Sequence, residues 1–110
     1  MNELVVRHCK PCEGGQPLAR DQAESLLRQV PEWSIDPPGQ SISRTYSFKN
    51  FHQTMAFVNA VAWVAHQEDH HPDLEVSYRS CRVRYSTHAM GGLSENDFIC
   101  AAKVSQLLAA

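Results

Sequence analysis

The chain of 110 residues falls inside the single-domain range and can bury roughly two thirds of the surface its unfolded form exposes. Its 43% hydrophobic and 20% charged residues exclude a disordered chain. Ten basic against twelve acidic side chains, net −2, lack the basic excess that phosphate-driven nucleic-acid binding requires.

No apolar run approaches the ~20 residues of a membrane span, and the opening MNELVVRHCK lacks a signal-peptide core. The expectation is a cytoplasmic protein with neither a nucleic-acid nor a membrane partner. Residues 1–17 carry Pro11, Gly14, Gly15 and Pro17 among polar neighbours, which reads as an irregular arm ahead of a domain spanning 18–110. Cysteines at 9, 12, 81 and 100 match no dense disulfide framework, so reduced thiols are expected. Cys9-Lys10-Pro11-Cys12 is a lone C-x-x-C beside His8, with no second pair to complete four zinc ligands. Thioredoxin-like chemistry would need a helix where Gly14-Gly15 stand.

From Leu18, Ala23, Leu26, Leu27 and Val30 recur at helical spacing, with Asp21 as a candidate cap, Glu24 three residues on, and Pro31 as the stop. Trp33 and Ile35, then Ile42, Tyr46 and Phe48, flank the turn Asp36-Pro37-Pro38-Gly39 and predict a hairpin. Asn50 is a good N-cap for a second helix. Along that helix Phe51, Met55, Val58, Ala62 and Ala65 form one stripe, with Phe57, Val61 and Val64 beside it. So wide an apolar surface predicts burial on two sides, by the domain's sheet and by a partner subunit. Pro72 ends the helix, because the residue before a proline is pushed out of the helical region.

Leu74, Val76 and Tyr78 then alternate with polar residues, as do Cys81, Val83 and Tyr85, predicting two more strands. Arg79, Arg82 and Arg84 fall on the solvated side. Ser94-Glu95-Asn96-Asp97 opens a last helix through Ala101, Val104, Leu107 and Leu108. This order predicts an α+β fold: a two-layer sandwich with a four-stranded antiparallel sheet and three helices packed on one face.

The stretch HQEDHHPD, residues 66–73, concentrates titratable groups at the second helix's end. His66 and His70 share a face at i, i+4, a metal-like spacing that His88 could complete, although Gln67 breaks the zincin order. The other reading is proton transfer, for which an imidazole of pKa ~6.5 is suited. Histidines also complement a helix C-terminus, but that does not account for His88, which follows a strand and precedes a Gly-Gly loop. Asp97 is placed either to complete a capping box or to orient a histidine.

The array His66, three residues, His70-His71-Pro72, five residues, Tyr78, nine residues, His88, eight residues, Asp97 resembles the signature of the pterin-4a-carbinolamine dehydratases, from about Leu18 to the C-terminus and including STHAMGGLSENDF. The resemblance implies a four-stranded antiparallel α+β fold that assembles into homodimers or homotetramers through helices. It also implies dehydration of 4a-hydroxytetrahydrobiopterin, the product of aromatic amino acid hydroxylases, to quinonoid dihydropterin, with no metal or organic cofactor. By motif position His70, His71 and His88 are the active-site histidines and Asp97 the supporting acid. Asp69, His70, His71 and Pro72, with Ser86, Thr87, His88 and Ala89, would line the pterin pocket. His66 stands where many relatives carry Glu, and Leu74 where animal relatives place Trp. A non-catalytic dimerisation module of the same fold is the alternative that the family also implies. On the catalytic reading, His70 and His88 transfer protons, His71 orients the pterin and Asp97 holds a tautomer.

Overall fold

The computed structural model describes residues 3–11 and 15–108. Its elements are α1 (Arg20–Leu27), β1 (Ser34–Asp36), β2 (Ser41–Ser47), α2 (Phe51–Glu68), β3 (Asp73–Val76), β4 (Ser80–Tyr85) and α3 (Glu95–Gln106), with single 3-10 turns at Glu3–Val6 and His88–Met90. The four strands form one antiparallel sheet in the order β1-β2-β4-β3, as the alternation predicts.

Register explains which face is covered. Ile42 lies opposite Tyr85 and Tyr46 opposite Cys81, while Leu74 faces Val83 from the other side of β4. Ile42, Tyr46, Cys81, Val83 and Tyr85 are buried. The alternate positions carry a charged lattice on the open face: Arg82 meets Asp36 at 3.3 Å and Glu75 at 3.5 Å. Arg82 and Arg84 therefore occupy the solvated side, whereas Arg79 lies in the turn before β4.

Above this sheet, α2 and α3 pack on β4 and on each other, while α1 packs against α3. Helix α3 is the hub, since Phe98, Ile99, Cys100, Ala101, Ala102 and Val104 are all buried. Burying a side chain such as Phe98 contributes about 1.5–3 kcal/mol.

Helix ends follow local chemistry. Asn50 caps α2 by accepting the Gln53 amide at 2.9 Å, as expected. At the far end Asp69 adopts the left-handed region, φ 51°, which short polar side chains tolerate better than most. Its N–H and that of His70 are taken by carbonyls of the last turn, so the helix closes before Pro72 and sends His70 toward α3.

Two local expectations are corrected. Asp21 is not the cap of α1. That position belongs to Ala19, whose amide is taken by Gln22 Oε1 at 2.9 Å, and Asp21 lies inside the first turn. The arm is not irregular over Glu3–Val6, because Leu4 is fully buried and the turn packs on α3, with Lys103 Nζ donating to the Val5 carbonyl at 2.7 Å. The breaker residues fall after this turn, at 11–17. In α2 the buried stripe is Thr54, Phe57, Val61, Val64 and Glu68; Phe51 and Trp63 remain 45% and 59% exposed. Cys12, and with it the C-x-x-C reading, lies outside the described residues.

Candidate active site

The end of α2, the β4–α3 connection, the start of α3 and the arm meet around a cavity of about 380 Å³. Asp69, His70 and His71 reach it from the α2 exit, and Ser86, Thr87, His88 and Ala89 from the end of β4. A turn of His88–Met90, with Gly91 at φ 67°, is pinned by the Thr87–Gly92 pairing. That closed loop holds His88 at the rim, exposed to solvent.

One wall is a buried polar network. His70 Nε2 and Asp97 Oδ1 are 2.7 Å apart, with the His70 side chain 13% exposed and Asp97 fully buried. Because the carboxylate only accepts, Nε2 is the donor in this contact. The other carboxylate oxygen, Oδ2, accepts from Thr87 Oγ1 and from the Ser94 amide, each at 2.9 Å. Thr87 and Ser94 hydroxyls are themselves 2.7 Å apart. Asp97 thus closes the start of α3 with one oxygen and meets an imidazole with the other. A buried charge of this kind is tolerable only when hydrogen-bonded on every side.

Beneath His70 lies Tyr85, its ring stacked at 5.6 Å and 11°. Burial and the adjacent Cys100 thiol push the Tyr85 phenol above its usual range, so it stays neutral and serves as a flat support. His66 is exposed and lies against Trp63 at 5.5 Å, away from the cavity, and among the described residues no three His, Cys, Asp or Glu side chains are grouped to hold a metal ion. Pro72 is half-buried in the exit turn and does not line the cavity.

Residues 16–107 match the family model described as pterin 4 alpha carbinolamine dehydratase. A Nitrosomonas eutropha protein bearing the name pterin-4-alpha-carbinolamine dehydratase is 65% identical over 108 residues, covering 96% of this chain and 94% of that one. The chain belongs to the pterin-4-alpha-carbinolamine dehydratase family. A Dechloromonas aromatica member is 57% identical, covering 96% and 93%. Among solved structures, a transcriptional coactivator/pterin dehydratase from Brucella melitensis superposes with TM-score 0.81 at 26% identity, covering 86% of this chain and all of that one. A pterin dehydratase-like RuBisCO assembly factor of the alpha-carboxysome shares the fold alone, with TM-score 0.60 at 19% identity over 69% of this chain and 88% of that one. No helix among the described residues of this family member is long and apolar enough to cross a membrane.

Several cavity residues escaped sequence reasoning: Glu68, Asn96, Lys10 and Pro11, with Cys9 considered only for redox or metal chemistry. Glu68 did carry a signal. A carboxylate in the last turn of a helix opposes the helix dipole, so its presence there asks for a specific partner. The structure supplies several: the His8 ring, the Cys9 amide and the Lys103 ammonium, at 2.9, 2.7 and 3.8 Å. Tyr85 was legible as a core residue, but its stacking on His70 was not.

Proposed function

We propose that the cavity receives the bicyclic ring of a 4a-hydroxytetrahydropterin and removes water from it, giving the quinonoid dihydropterin. The observation that carries this reading is the His70–Asp97 pair at 2.7 Å in the wall of a cavity also lined by His71 and His88. Dehydration breaks the C4a–O bond. The leaving hydroxyl needs a proton, and a ring nitrogen must lose one, so the exchange requires one acid and one base near neutral pH.

His70 is the base. Its Nδ1 takes the proton from the ring nitrogen, and the fully buried Asp97 stabilises the resulting imidazolium. His88, at the rim on the pinned loop, donates to the departing hydroxyl. His71 orients the ring by hydrogen bonding. The two histidines finish with their protons exchanged, and solvent at the exposed His88 resets them. No step requires a metal or an organic cofactor.

On this reading the substrate comes from a tetrahydropterin-dependent hydroxylase of aromatic amino acids, in the cytoplasm, and the exposed Phe51–Trp63 side of α2 joins copies into a homodimer or homotetramer. The alternative, a non-catalytic binding module, leaves the His70–Asp97 network and the histidine-lined cavity without a role.

The test is the decay of chemically generated carbinolamine with and without the protein. Wild type should accelerate it, and His70→Ala and His88→Ala should each lose roughly 10²- to 10⁴-fold. Both variants working at the wild-type rate would refute the assignment.

A further inference from the structure

The arm runs along the cavity that the catalytic residues surround, and its attachments are specific. The Cys9 amide donates to Glu68 Oε1 at 2.7 Å and His8 Nδ1 contacts Glu68 Oε2 at 2.9 Å. Asn96 grips Lys10 reciprocally, accepting its N–H at 3.1 Å and donating to its carbonyl at 2.6 Å. Further back, Leu4 is buried in the core, Lys103 holds the Val5 carbonyl and Arg7 meets Glu95 at 3.0 Å.

The anchors are placed where they matter for the site. Glu68 lies two residues before His70, and Asn96 immediately before Asp97. Cys9 is also 3.5 Å from Cys100, one turn beyond Asp97. The arm therefore bridges the two elements that carry the His70–Asp97 pair, and Cys9, Lys10 and Pro11 line the same cavity as His71 and His88. The arm residues His8, Cys9, Lys10 and Pro11 lie before residue 16, where the match to the family model begins.

We propose that His8–Pro11 is a wall of the substrate site, a strap that contacts bound pterin and sets its affinity, with Glu68 and Asn96 as positioning residues. The inference rests on the pterin reading above. Side-chain anchors hold the strap backbone at two consecutive residues, Cys9 and Lys10, so it presents a preformed surface, and less ordering entropy is lost when ligand binds. Glu68 is buried and has no part in the proton transfers assigned to the histidines; its role is to receive the strap.

Two measurements on the full-length protein test this. In Glu68→Ala the strap loses its buried anchor. KM for the carbinolamine should rise about tenfold, the scale of one hydrogen bond to a charged group, while kcat falls by less than about threefold. Glu68→Gln keeps an oxygen for the Cys9 amide and should recover part of the loss. A fall confined to kcat, or no change in KM, overturns the proposal. Independently of any variant, hydrogen exchange of wild type with and without saturating 7,8-dihydrobiopterin, a pterin that carries no leaving hydroxyl, should slow at the Cys9 and Lys10 amides together with residues 86–89. Slowing at 86–89 alone refutes the strap's role and leaves the pterin site standing; slowing at neither removes both.

Discussion

His70 and Asp97 meet through Nε2 and Oδ1 at 2.7 Å, and Asp97 is completely buried. Its second oxygen takes Thr87 and the Ser94 amide. Removing the carboxylate therefore has two separable effects. Asp97→Asn keeps the shape but loses the charge that supports a His70 imidazolium, and kcat should fall roughly 10²- to 10³-fold. Asp97→Ala also strands buried donors on His70, Thr87 and Ser94, and should destabilise the fold by about 2–4 kcal/mol. Steady-state kinetics and urea unfolding of both variants check this.

The three cavity histidines should differ in which constant they move. His70→Ala and His88→Ala act on the proton transfers and lower kcat. His71→Ala removes an orienting contact and should mainly raise KM, by about tenfold. A kcat collapse in His71→Ala with little change in His88→Ala would reverse their roles.

Glu68 gives the arm a pH dependence with a definite sign. Burial alone would raise its pKa, but the Cys9 amide, the His8 ring and the Lys103 ammonium outweigh that and hold the carboxyl below its ordinary value of 4.5. A depressed folded-state pKa contributes stability that is fully present above the unfolded value and is lost as pH falls through the folded one. The groups facing Glu68 are His8 and Cys9 from the arm and Lys103 from α3. The Tm advantage of wild type over Glu68→Gln should be steady above about pH 5 and shrink as pH falls below 4.5. A constant difference down to pH 3 would contradict it.

Phe51 and Trp63 stay exposed on α2, and the proposed assembly places them between copies of the chain. Sedimentation velocity should give a dimer or tetramer of the 110-residue chain. Trp63→Glu should shift it toward monomer while leaving the circular dichroism of the fold unchanged. A wild-type protein that sediments as a monomer at high micromolar concentration would refute the assembly.

How much of this was legible depends on the length scale of each signal. Strand alternation around Ile42–Tyr46 and Cys81–Tyr85 and the Asn50 cap are local, and each appears in the structure where the pattern placed it; α2 instead stops at the left-handed Asp69, ahead of Pro72. His70, His71, His88 and Asp97 were picked out by motif spacing, and the fold brings the three histidines to one cavity with Asp97 bonded to His70; their roles in dehydration belong to the proposed function. What could not be read was long-range and backbone-mediated. The Glu68–Cys9 and Asn96–Lys10 contacts join residues 59 and 86 positions apart, and they use main-chain groups that every residue carries. The sheet-facing sector of α2, through Phe57, Val61 and Val64, could not be singled out for a related reason: periodicity places apolar residues on a surface but does not say which sector meets the sheet.

The central claim is that the His70–Asp97 pair performs acid–base chemistry on a pterin carbinolamine. Its most direct test is a stopped-flow comparison of carbinolamine dehydration by wild type and His70→Ala at pH 7, each as a function of protein concentration. The account predicts a saturable acceleration by wild type and a rate at least about 100-fold lower for His70→Ala. A wild-type rate equal to buffer, or a variant as fast as wild type, would contradict it.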